Sequence, residues 1–163
     1  MNANMKYDEY DREILRILFK DSKISNSTLA RKISLSPPAT LGRVRKLRGN
    51  GVILGQKAVL DKKKLGRGLT CLVSLQIRHL YKKEDYYLIE EHLKQFEEIE
   101  EIYFLTGKID YLIKVNVRDI DEFREFFMAK LSKVKLIERV ETHVVVSSAA
   151  NPNYNPINLE SVY

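Results

Sequence analysis

The sequence predicts an α+β protein: an N-terminal winged helix-turn-helix domain followed by a C-terminal βαββαβ ferredoxin-like sandwich domain. Three observations carry this prediction. Apolar residues recur at helical spacing three times before Gly51, two strand and helix alternations follow one another between residues 69 and 148, and the excess positive charge lies entirely in the first third of the chain.

The chain has 163 residues, of which 44% are hydrophobic and 31% charged, enough to bury a core in one or two small domains. No apolar run approaches the roughly 20 residues of a membrane helix. The N-terminus carries no apolar signal region, and the single cysteine, Cys71, has no partner for an internal disulfide, so the expected location is cytoplasmic. Residues 1–60 hold twelve Lys/Arg against five Asp/Glu, while residues 61–163 hold sixteen against seventeen. Between Asp21 and Asp61 there are eight basic residues and no acid. Such a basic end on a neutral body points to a polyanion-binding module.

Asp8 is suited to cap a first helix whose apolar positions are Ile14, Leu15, Ile17, Leu18 and Phe19. Ser25 or Asn26 caps a second, short helix with Leu29, Ala30 and Ile33 inward. For a third helix, Ser36 supplies the cap, Pro37 fits the first helical position without losing a hydrogen bond, and Gly49, Asn50 and Gly51 stop it. Two short helices joined by so brief a turn form a helix-turn-helix, whose second helix enters the major groove of double-stranded DNA. On a helical wheel, Leu41, Val44 and Leu47 form the expected buried stripe, leaving a small, basic outer face. The candidate DNA-binding residues are Ser36, Ala39, Thr40, Arg43, Arg45 and Lys46. In this reading Arg43 forks onto a guanine and Lys46 reaches a phosphate. Residues 52–60 are β-rich and read as a strand or small wing, followed by a basic, glycine-bearing linker at 61–68.

Residues 70–78 alternate, with Cys71, Val73, Leu75 and Ile77 on one face and Ser74, Gln76 and Arg78 on the other. A helix over residues 84–96 presents Tyr86, Ile89, Leu93 and Phe96 inward, and residues 99–105 resume strand character. Thr106 to Asp110 makes a tight turn into a strand over 111–117. The second helix, over 119–134, turns Ile120, Phe123, Phe127 and Leu131 inward, and a fourth strand covers 140–146. In the βαββαβ order both helices cover one face of an antiparallel sheet. The other face, with Leu72, Leu112 and either Tyr103 or Phe104, is left to a second subunit. Residues 149–163, with Pro152 and Pro156 and no periodicity, form a C-terminal tail that is poorly ordered or a docking arm.

The runs Asp11 to Leu15, Ser25-Asn26 with Leu29 to Arg31, Leu35-Ser36-Pro37, Arg43 to Leu47 and Gly51 to Ile53, with Thr106-Gly107 and Asp110 to Leu112, resemble the feast/famine transcription regulators, the Lrp/AsnC family. The resemblance covers about residues 8–147. It implies a DNA-binding domain at 1–60, and an effector-sensing and oligomerisation domain at 69–148. It also implies homodimers formed through the sheets, with octamers of four dimers in many members, and DNA affinity or assembly that responds to an amino acid or related small molecule. By the same resemblance, the effector-binding residues are Thr106, Gly107, Lys108 and Asp110. One position departs from the family pattern: Lys108 stands where an acid usually follows the turn glycine. Either the effector preference is altered or lost, or Lys108 is an exposed turn residue without a role.

Enzyme chemistry finds little support. His79, His92, His143 and Cys71 show no metal-ligand spacing, and neither a phosphate-binding loop nor a nucleophile elbow occurs, so no catalytic residue, metal or cofactor is expected. The enzyme alternative comes from resemblance, since siroheme decarboxylase subunits share this two-domain architecture. An RNA platform on the sheet lacks the required motif residues.

Overall fold

The structure is a computed structural model that describes residues 7–78, 83–151, 154, 156 and 157. The chain divides into two compact units, Met1–Val59 with Ala150–Tyr163, and Leu60–Ala149. His79 and most of the tail lie outside the described residues.

Helices α1 (Glu9–Lys20), α2 (Asn26–Lys32) and α3 (Pro37–Gly49) build the first unit. Each begins on a polar side chain that accepts an otherwise unpaired amide: Asp8 from Asp11, Ser25 from Thr28 and Ser36 from Ala39. α2 and α3 end alike. The amide of Leu35 donates to the carbonyl of Ala30 and that of Val52 to Leu47, closing two Schellman turns. The left-handed residue is Gly51 (φ 71°) after α3, but Ser34 (φ 56°) after α2. Ile14, Leu29, Val44 and Leu47 meet in the core between the helices. Each such burial contributes about 1.5–3 kcal/mol.

Two expectations for this unit need correction. The inward stripe of α3 is Thr40, Val44 and Leu47, and Leu41 is exposed. The axis of α3 is rotated so that positions i, i+4 and i+7 face α1 and α2, and Thr40 tolerates burial because its hydroxyl donates to the Ser36 carbonyl at 3.0 Å. No strand forms over residues 52–60 either. Val52 and Ile53 pack on the helices and the Gln56 amide donates to the Ser22 carbonyl, but no second strand among the described residues offers a ladder.

The second unit contains β1 (Leu69–Ile77), α4 (Lys83–Leu93), β2 (Ile99–Phe104), β3 (Tyr111–Val117), α5 (Ile120–Ala129), a short 3-10 turn (Leu131–Lys133) and β4 (Ile137–Val144). Its antiparallel sheet has the order β2-β3-β1-β4. Cys71, Val73 and Leu75 of β1 and Ile113 and Val115 of β3 are wholly buried, with α4 (Ile89, Leu93) and α5 (Phe123, Phe126) in the same cluster. Register separates Tyr103 from Phe104. Tyr103 pairs with Leu112 on the uncovered face, whereas Phe104 pairs with Tyr111 and packs its ring 5.2 Å from those of Tyr86 and Tyr111.

The expected helix over 119–134 breaks at Lys130, after which the tighter turn brings Leu131 into the core. Its buried aromatics are Phe123 and Phe126, and Ile120 is exposed at the first helical position after the Asp119 cap.

The connector is folded onto the second unit. Lys62 pairs with Glu100, Arg67 pairs with Glu122 at 3.1 Å, and Arg67 also donates to the Asn116 carbonyl.

Candidate functional site

The N-terminal end of α3 and its outward side collect most of the sequence-predicted DNA-binding residues. Ser36, Ala39, Arg45 and Lys46 are exposed. Thr40 is not: it is fully buried and its hydroxyl is spent on the Ser36 carbonyl, so it is removed from the candidate contact surface.

Arg43 is engaged from the side of α1. Its Nη1 lies 2.6 Å from Asp8 Oδ2 and 2.9 Å from Asp11 Oδ1, and its guanidinium carbon sits 5.3 Å from the centroid of the Tyr10 ring. Asp11, then Asp8, hold the guanidinium still more firmly protonated. Partial burial works to raise the Asp8 carboxyl, but the Asp11 amide and Arg43 outweigh it and keep it below its ordinary range. The N-cap of α1 is thus also the anchor of α3. Nothing in the spacing of residues 8, 11 and 43 signals this, because the contact spans more than thirty residues of chain.

The C-terminal arm returns to this same unit. Tyr154 meets Phe19 edge to face at 6.2 Å between centroids, and Pro156 and Ile157 join Leu15, Leu18 and Ile53 along an apolar groove.

On the uncovered sheet face of the second unit lies a pocket of about 350 Å³ lined by Ser74, Gln76, Lys108, Ile109, Arg139 and Glu141. Ser74 stands opposite Glu141 and Gln76 opposite Arg139 across the β1–β4 ladder, so these four side chains project together. Of the four turn residues expected to bind an effector, Lys108 lines this pocket. Thr106 and Gly107 are exposed on the turn, Gly107 with φ 125°, a conformation that favours glycine. Asp110 turns toward the sheet, where its carboxylate accepts from the Ile77 amide at 2.8 Å while its own amide donates to the Leu75 carbonyl. It fastens the turn to β1. Arg139 and Glu141 were missed by sequence reasoning, although their i, i+2 spacing on a strand was a usable signal.

Cys71 is buried, which raises its thiol pKa, and His92 and His143 are exposed on different elements. Among the described residues, no group of three His, Cys, Asp or Glu is placed to hold a metal ion, and no helix is long and apolar enough to cross a membrane.

A basic helix-turn-helix unit joined to a βαββαβ unit with its own pocket defines a two-domain, ligand-responsive transcription regulator. Comparison with known proteins agrees. Residues 8–48 match the AsnC-type helix-turn-helix domain and residues 70–153 the Lrp/AsnC ligand binding domain. The chain is 34% identical to the transcriptional regulator AzlB of Bacillus subtilis over 93% of its length and 96% of that protein. It is also 34% identical to a leucine-responsive regulatory protein of Haemophilus influenzae, over 93% of this chain and 90% of that one. An AsnC family transcriptional regulator from Agrobacterium tumefaciens superposes with a TM-score of 0.83 at 31% identity, covering 92% of this chain and 97% of that one. The chain belongs to the Lrp/AsnC family of transcriptional regulators.

Proposed function

We propose that residues 1–60 bind double-stranded DNA in a sequence-selective manner and residues 69–148 sense an amino acid and oligomerise, with 61–68 as the connector and 149–163 as an arm. The observation that carries the DNA reading is the exposed face of α3, where Arg45 and Lys46 follow Ser36 and Ala39 within a stretch free of acids from residue 22 to residue 60. Ser36, Ala39, Arg45 and Lys46 make the contacts. Arg43 acts chiefly as a positioning residue that sets the angle of α3 against α1.

The effector reading rests on the pocket beside Lys108 and on kinship with a protein named for its response to leucine. Thr106, Gly107 and Asp110 shape the turn that presents Lys108. Leu72, Tyr103 and Leu112 on the uncovered sheet face support a homodimer, which places two recognition helices on half-sites of an inverted repeat and is the building block of an octamer. We place the protein in the cytoplasm, without cofactor or catalysis. The relatives described above are regulators by name, which favours this reading over a siroheme decarboxylase subunit.

The test is binding of the purified chain to genomic fragments and to random duplex at several salt concentrations. A selected operator bound well above random duplex, with Arg45→Ala and Lys46→Ala each lowering the salt slope by about one, is the expected result. Equal affinity for all sequences would sink the reading. A purified protein that takes up haem-like pigment would favour the decarboxylase instead.

A further inference from the structure

The lining of the pocket on the uncovered sheet face carries an unbalanced set of charges. Lys108 and Arg139 are both cations, and neither has a partner among the described residues. Glu141 is the single carboxylate of the lining, 3.6 Å from the exposed His143 imidazole. Ser74 and Gln76 add neutral polar groups, and Ile109 is the only apolar side chain of the six.

We propose that this pocket binds an α-amino dicarboxylic acid, an aspartate- or glutamate-like molecule, with Arg139 and Lys108 receiving its two carboxylates and Glu141 its ammonium. The proposal rests on the reading that the second domain takes an amino-acid effector, and it names the class. At neutral pH such a ligand carries two negative charges and one positive, so each of its charges meets an opposite one. Leucine or methionine brings one carboxylate and so leaves one of the two cations, Lys108 or Arg139, unanswered. A dicarboxylate without an amine leaves Glu141 facing the ligand unmatched. The volume of about 350 Å³ suits a small metabolite and lies near the lower end of ligand pockets, roughly 300–1,000 Å³.

The site is built rather than incidental to a loop. Ser74–Glu141 and Gln76–Arg139 are cross-strand pairs, so the β1–β4 ladder sets the spacing of the two β4 charges. The turn bearing Lys108 is tied to β1 by both bonds of Asp110, to Leu75 and to Ile77. Lys108, which departs from the family's usual acid, is therefore placed beside a second cation that its position in sequence does not reveal.

Calorimetric titration of the full chain with L-glutamate, L-aspartate, glutarate, L-leucine and L-methionine tests the proposal, with Arg139→Gln, Lys108→Gln and Glu141→Gln as variants whose folding is checked by circular dichroism. Wild type should bind an acidic amino acid roughly tenfold or more tighter than leucine or methionine. Arg139→Gln and Lys108→Gln should each weaken that binding, and Glu141→Gln should shrink the preference for glutamate over glutarate. Tighter binding of leucine or methionine, or acidic-ligand affinity that ignores Arg139, overturns the ligand class while leaving the amino-acid reading intact. Binding of none of the amino acids overturns both.

Discussion

Arg43 of α3 donates through Nη1 to the Asp11 carboxylate of α1 at 2.9 Å, and that carboxylate is almost wholly buried, with 8% of its side chain exposed. An acid so placed has given up most of its hydration and depends on its partner. The bond makes a basic side chain of α3, the helix proposed to contact DNA, part of the packing between helices.

Arg43→Ala is therefore expected to lower stability as well as DNA binding. Leaving Asp11 buried without its cation should cost about 2–4 kcal/mol, at the lower side for a pair whose arginine is partly exposed. Arg43→Lys should recover part of this, because an ammonium restores a positive charge beside Asp8 and Asp11 but gives up the planar guanidinium that lies over the Tyr10 ring. Thermal unfolding of the three proteins without DNA is the measurement. An unchanged melting temperature in Arg43→Ala would show that the contact adds nothing to the fold.

Ser34 offers a stabilising change. It occupies the left-handed position of the turn between α2 and α3, with φ 56°, where Gly51 serves at the matching end of α3. A side chain there is strained, so Ser34→Gly should stabilise the first unit by about 0.5–1 kcal/mol, less the greater flexibility glycine gives the unfolded chain. Chemical denaturation reads the effect directly, and a fall in the midpoint would contradict it.

Glu100 ties the connector to the sheet and gives a pH signature. Burial alone would raise its carboxyl pKa, but Lys62, Asn116 and Lys114 outweigh that and lower it from 4.5 to about 2. Because the folded pKa is depressed, the stabilisation is fully present above about pH 4.5 and is lost as pH falls toward about 2. With the carboxylate about one-third exposed, solvent screening leaves about 1–2 kcal/mol. Glu100→Gln should destabilise the second unit near neutral pH by that amount and flatten its acid unfolding profile. Identical pH profiles for the two proteins would refute this.

Tyr103 and Leu112 pair across β2 and β3 on the side of the sheet that the helices leave open. An aspartate at either position would place a charge in the proposed sheet-to-sheet interface. Tyr103→Asp and Leu112→Asp should thus shift sedimentation from a dimer or larger species toward the 19.0 kDa chain. A wild-type protein that sediments as a monomer at every concentration would remove the interface.

What the sequence determined by itself was local. Asp8, the pair Ser25-Asn26 and Ser36 declare the helix starts because a cap satisfies amides within three residues, and the structure selects Ser25 from the pair. The alternation of Cys71, Val73, Leu75 and Ile77 declares β1 because a strand's two faces repeat every second residue. Acid-free chain between Asp21 and Asp61 likewise shows the basic surface without any coordinates. Tertiary structure decided the rest. Leu41 and Thr40 exchange their expected places because the roll of α3 depends on what α1 and α2 present to it. The spare β-rich segment at 52–60 forms no strand, since a ladder needs a partner and propensity cannot supply one. Arg43 meets Asp8 and Asp11, and Lys108 shares a pocket with Arg139 and Glu141, across more than thirty residues in each case. Charge pairing of that kind depends on distance in space, which only the folded chain establishes.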